Sequence, residues 1–118
     1  MSIHDLYSIE NMEQDGNRIT CRVQIDAGHP VFEGHFPGSP VLPGVVQVEM
    51  VKAALANALG KPIRLTDMTT CKFLEILDPR ATPEMVISIQ YKGDAALDVS
   101  ATGSAGDKTF FKIRASFI

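Results

Sequence analysis

PGVVQVEMVKAALANAL, residues 43–59, is the stretch whose reading decides the fold. A proline in the first turn, Gly60 just past the last residue and Pro62 beyond it mark a helix with both ends defined. Val45, Val46, Val48, Met50, Val51, Ala53, Ala54, Leu55, Ala58 and Leu59 cover nearly its whole circumference, so it is expected to be buried on more than one side. Gln47, Glu49, Lys52 and Asn57 interrupt the stretch, which is also shorter than the roughly 20 apolar residues of a membrane span. The cover for such a helix has to come from the rest of the chain.

That remainder reads as strands. Asp15-Gly16-Asn17 is a hairpin turn, after which Ile19, Cys21, Val23 and Ile25 alternate with Arg18, Thr20, Arg22 and Gln24. Residues 85–91, 96–102 and 109–117 are separated by short Gly/Asp-containing turns and are expected to form an antiparallel meander. In the last of them Phe111, Ile113, Ala115 and Phe117 share one face, opposite Lys112, Arg114 and Ser116. Phe110 and Ile118 fall on that polar face as candidate interface residues. Residues 64–77 are also expected to be extended, ended by Asp78-Pro79-Arg80. One buried helix and five or six mainly antiparallel strands point to an α+β arrangement, a curved sheet wrapped around a central helix, in a single domain over residues 1–118.

Composition narrows the partners. The chain has 118 residues, 45% of them hydrophobic and 21% charged, which is globular usage. Eleven basic against fourteen acidic residues leave a net charge of −3, so neither nucleic acid nor an anionic membrane is an expected partner. The opening residues, Met1-Ser2-Ile3-His4-Asp5, do not resemble a secretion signal, and a cytoplasmic location without a membrane span is expected. Cys21 and Cys71 read as small buried hydrophobes in a reducing compartment.

Chemistry concentrates just before the helix, in HPVFEGHFPGSPVLPG, residues 29–44. So many prolines and glycines exclude regular structure and favour a loop of one fixed shape. The loop carries His35 and runs into a helix start whose first amides lack intrahelical acceptors and sit at the positive end of the dipole. Such a terminus can hold a developing negative charge. Glu49 is the only acidic residue between Pro37 and Leu65. A carboxylate on an apolar helix either finds a partner or favours its protonated form through desolvation, which suits a general acid, and a histidine suits the base. A base and an acid together fit proton removal and proton delivery across one substrate, as an elimination requires.

Residues 34–45, GHFPGSPVLPGV, resemble the GHFPGxPxxPGV segment of the FabZ-type beta-hydroxyacyl-acyl carrier protein dehydratases, and Glu49 stands where that family has its helical Glu. Cys71-Lys72-Phe73-Leu74 followed by Thr82-Pro83-Glu84 also resembles a later family region, with Glu84 in place of a usual Gly. The resemblance implies the hotdog fold and dehydration of a 3-hydroxyacyl thioester. In it His35 removes the α proton, Glu49 protonates the departing hydroxyl, and the Gly44 backbone polarises the thioester carbonyl, with Phe36, Pro43 and Val45 as further substrate contacts. It also implies an acyl group delivered on the phosphopantetheine arm of an acyl carrier protein, a homodimer or higher oligomer of dimers whose acid and base come from different subunits, and neither metal nor cofactor. Where the family commonly reads A-M-A-Q, this chain has Met50-Val51-Lys52-Ala53, which points to an altered acyl tunnel or a specialised pathway. A hotdog thioesterase and a non-catalytic acyl-thioester-binding subunit are the alternative readings. His29 and Glu33, beside the loop, read as solvated, and Lys61, Arg64, Lys72 and Arg80 as scattered surface charge rather than a carrier-steering patch.

Overall fold

The computed structural model describes residues 5–34 and 40–118, without the side chain of Glu33. Six strands, β1 (Tyr7–Asp15), β2 (Arg18–Ile25), β3 (Leu65–Phe73), β4 (Glu84–Gly93), β5 (Leu97–Ala105) and β6 (Lys108–Phe117), form one sheet in the order β1-β2-β4-β5-β6-β3. Every neighbouring pair is antiparallel. The single α-helix among the described residues, α1 (Gly44–Leu59), lies nearest β1, β2 and β4. No helix among them is long and apolar enough to cross a membrane.

The helix ends as its punctuation demands. Gly60 takes the left-handed conformation (φ 67°), and its amide reaches the carbonyls of Ala56 and Asn57 at 2.9 and 3.3 Å. Val46, Gln47, Met50, Val51, Ala54 and Leu55 face the sheet and are buried, Val45 and Asn57 are exposed, and the rest of the helix is half-buried. Opposite them lie Ile19, Cys21, Val23 and Ile25 of β2, Met85, Ile87 and Ile89 of β4, Val99 and Ala101 of β5, and Phe111, Ile113, Ala115 and Phe117 of β6. Apart from Val86 between Met85 and Ile87 and Phe110 before Phe111, these alternate with polar residues facing outward, so the period of two in the sequence sets which face meets the helix. Burying one such aliphatic side chain contributes about 1.5–3 kcal/mol.

Three expectations are corrected. Phe110 is not on the polar face: it is buried, because the β5–β6 register slips at Gly103/Ser104 and Phe110 becomes the extra residue of a bulge that carries Phe110 and Phe111 inward together. The second slip is at Cys71, which is exposed. Its register partner Ile113 faces inward, but β3 is the edge strand and the helix does not reach over it. The extended stretch also stops at Phe73 rather than at residue 77, although Leu77 is fully buried.

Burial pushes the Cys21 thiol up to about 11, so roughly 0.1% of it is thiolate at pH 8, and Cys21 is shielded besides. Cys71 is raised as well but open to solvent. A thiol reagent at pH 8 is therefore expected to modify one equivalent quickly, mapping to Cys71, and the second only after unfolding. Two equal fast phases in stopped-flow labelling would contradict this packing.

Candidate active site

The chain approaches the site through a series of backbone turns. After β2, the Gly28 amide donates to Asp26 Oδ1 at 2.9 Å and the His29 amide to the Asp26 carbonyl at 3.1 Å, leading into a 3-10 turn over Pro30–Gly34. His29 is buried, contrary to its reading as solvated, and its Nδ1 accepts the Val31 amide at 3.0 Å. That bond places the proton of the neutral ring on Nε2. His35, Phe36 and the side chain of Glu33 lie outside the described residues.

On the far side of the loop the helix start is held from two directions. The Leu42 amide donates to the Leu77 carbonyl at 2.9 Å, and the buried Gln47 side chain donates through Nε2 to the Leu42 carbonyl at 3.2 Å. Asp78, next to Leu77, accepts side-chain and backbone hydrogen bonds from Arg80, which hold its carboxyl below the usual range. The turn that positions Leu77 is thereby closed on itself. Gln47 Oε1 is buried, with no partner among the described residues.

At the terminus itself, Pro43 is the N-cap and supplies no side-chain cap. The Val46 and Gln47 amides donate to the Pro43 carbonyl at 3.1 and 3.3 Å, so among the described residues the Gly44 and Val45 amides are left without an acceptor. No acidic side chain stands in the first turn to neutralise them. The Phe73 ring rests on the helix start at Gly44: a Cβ there would lie 2.7 Å from its Cζ and 2.8 Å from its Cε2, so a side chain at this position would displace the half-exposed ring. Val45 is 72% exposed and Phe73 48%, with Leu74 and Ile76 exposed alongside. Among the described residues, two amides without an acceptor thus stand beside exposed apolar side chains.

Glu49 lies five residues further along α1 and is half-buried, about 7.5 Å along the axis from Gly44. No ion pair joins it to Lys52 among the described residues. Its charge is felt by Tyr7 of β1, a residue that sequence reasoning did not single out. Burial pushes the Tyr7 phenol up, and the negative charge of Glu49 adds to the shift. In a Tyr91→Phe background Tyr7 is the only tyrosine, and its ultraviolet titration midpoint is expected to fall when Glu49 becomes Gln, while staying above the ordinary range because burial persists. An unchanged midpoint would separate the two residues.

The structure therefore brings Pro43, Gly44, Val45 and Glu49 onto one helix start. Among the described residues no three His, Cys, Asp or Glu side chains converge as metal ligands. Residues 11–110 match the family model of ApeI-like proteins, described as ApeI dehydratase. The 3-hydroxyacyl-[acyl-carrier-protein] dehydratase FabZ of Levilactobacillus brevis is 26% identical over 110 residues, covering 87% of this chain and 74% of that protein. FabZ of Macrococcus caseolyticus is 30% identical over 112 residues, covering 88% and 77%. Among solved structures, the dehydratase heterocomplex ApeI:P from Xenorhabdus doucetiae superposes with a TM-score of 0.72 at 21% identity, over 93% of this chain and 96% of that one. A mutant thioesterase from Pseudomonas aeruginosa gives 0.67 at 16% identity, over 98% and 84%. These neighbours share the antiparallel sheet and single helix of the hotdog fold.

Proposed function

We propose, for a chain that belongs to the ApeI-like dehydratase family, that it removes water from a 3-hydroxyacyl thioester borne by an acyl carrier protein and leaves the trans-2-enoyl thioester. The observation that carries this reading is the start of α1, where the Gly44 and Val45 amides have no acceptor among the described residues and Glu49 follows on the same helix. The thioester carbonyl accepts from these amides, and the negative charge that grows on its oxygen as the α C–H bond breaks meets the positive end of the helix. His35 takes the α proton. The electron pair forms the carbon–carbon double bond, the C–O bond at the β carbon breaks, and Glu49 gives its proton to the departing hydroxyl, which leaves as water. Phe36, Pro43 and Val45 line the substrate.

The working unit in this proposal is a homodimer, or an oligomer of dimers, in the cytoplasm, with His35 of one protomer opposite Glu49 of the other. The apolar rim of Val45, Phe73, Leu74 and Ile76 around the helix start supports it, as does the open edge of β3. The test uses purified protein and a 3-hydroxyacyl N-acetylcysteamine thioester, following the enoyl absorbance and free thiol together. Unsaturation without thiol release is the expected result. Thiol release would assign a thioesterase, and neither product over several chain lengths would sink the enzymatic reading in favour of a binding subunit.

A further inference from the structure

The outer face of the sheet, turned away from α1, carries charge in an order that the strand register alone reveals. In one row Lys72 of β3 stands directly opposite Lys112 of β6, and the row continues through Thr102, Ser88 and Thr20. In the next row Thr70 stands opposite Arg114, followed by Ser100, Gln90 and Arg18. The two rows span five strands, about 19 Å. Over these five strands they contain four cations and six uncharged hydrogen-bonding side chains, and on the sixth strand, β1, they end in Glu13 opposite Thr20 and Asp15 opposite Arg18, so positive charge gathers at the Lys72–Lys112 end, away from those carboxylates.

A trough of about 590 Å³ lies along these rows, lined by Arg18, Lys112 and Arg114 but by no acidic residue. Arg114 shares Asp98 with Lys92, at 3.4 and 3.8 Å. Arg18, Lys72 and Lys112 have no ion pair among the described residues. Two lysines directly opposite on one face repel each other, and an anion between them removes that cost. Lys72 stands beside the trough rather than in its lining, opposite Lys112, and the next residue on β3, Phe73, turns to the other face and rests on Gly44 at the helix start.

We infer that this face docks the acyl carrier protein, with Lys72 and Lys112 receiving the phosphate that begins its pantetheine arm and the trough receiving the acidic surface around it. The inference rests on the dehydratase reading. Charge complementarity selects the partner: phosphoryl oxygens accept from lysine and from short hydroxyls alike, and an acidic protein surface is drawn to a local positive field. Nucleic acid, which would also seek cations, meets no aromatic side chain in these rows on which to stack a base.

Binding decides it, measured by calorimetry at low and moderate salt for the full chain and for Lys72→Glu, Lys112→Glu and Lys112→Arg. The probes are a holo acyl carrier protein, coenzyme A and unphosphorylated pantetheine. The wild-type protein is expected to bind the carrier at least tenfold more tightly than either charge reversal does, with a strong salt dependence that the reversals lose, while Lys112→Arg keeps affinity within about threefold. Pantetheine is expected not to discriminate among the four proteins. Carrier affinity unchanged by the reversals overturns the proposal. So does a loss seen with coenzyme A and not with the carrier, which would assign the face to a free nucleotide, or an equal loss of pantetheine, which would mean a damaged fold. Dehydration of the N-acetylcysteamine thioester by the wild-type protein reports on the dehydratase reading separately, because that substrate has no phosphate and no carrier.

Discussion

His35→Ala and Glu49→Gln are each expected to lower kcat/KM for dehydration by about 10²–10⁴, the usual loss when a positioned proton donor or acceptor is removed. Glu49→Gln is the sharper of the two. The amide matches the carboxyl in size on a half-buried helix position, so folding and helix packing are expected to persist while the proton to be delivered is gone. If acid and base act in one elimination, the double variant is expected to fall little below the worse single variant, since two groups that serve one step are not additive. Mixing the two inactive variants supplies a further readout. In heterodimers with base and acid from different protomers, one of the two sites is intact, so activity is expected to return to a fraction of wild type. Near wild-type turnover in either single variant would refute the assigned roles, and absence of any recovery on mixing would refute a shared site.

The second large effect concerns the core. Phe111→Ala is expected to cost about 3–5 kcal/mol, because a fully buried ring leaves a cavity that the sheet cannot close. The same ring explains Gly103. A Cβ at position 103 would stand 2.1 Å from Phe111 Cε2 and 2.8 Å from Met85 Sδ, so Gly103→Ala overpacks the site and is expected to cost about 1–3 kcal/mol. Adding Phe111→Leu to Gly103→Ala is expected to recover part of that loss, since the two changes meet at one contact and their effects do not add. Chemical denaturation of the four proteins measures the coupling. Strict additivity would show that the ring does not occupy the space above Gly103.

How much of this was legible beforehand follows from the range of the interactions. The α1 boundaries, the β2 alternation and the β4-β5-β6 meander depend on neighbours within a few residues, and punctuation by Pro43, Gly60 and Gly93 made them readable. Phe110 was misplaced because a bulge depends on what the opposite strand offers, here a glycine at position 103 that leaves room for the Phe111 ring. Cys71 was misplaced because alternation shows which face a residue takes and not whether anything covers that face at a sheet edge. His29 looked like a loop residue and is buried, since the turn begun by Asp26 folds it inward.

The candidate site divides in the same way. Gly44, Val45 and Glu49 share a helix, so their spacing alone ordered them. Tyr7 stands 42 positions away and feels the charge of Glu49 only because the first strand returns along β2 beside the helix. Lys72 and Lys112 are 40 positions apart, and each looked like ordinary surface charge. Sequence by itself determined the helix, the β2 alternation, the β4-β5-β6 meander and the family motif, because those follow from covalent order and local hydrogen bonding, whereas β1, the end of β3 and the inward turn of Phe110 did not. Tertiary structure alone decided which side chains share a register row, which ring covers Gly44 and where positive charge accumulates, because strand pairing joins residues that no local interaction connects.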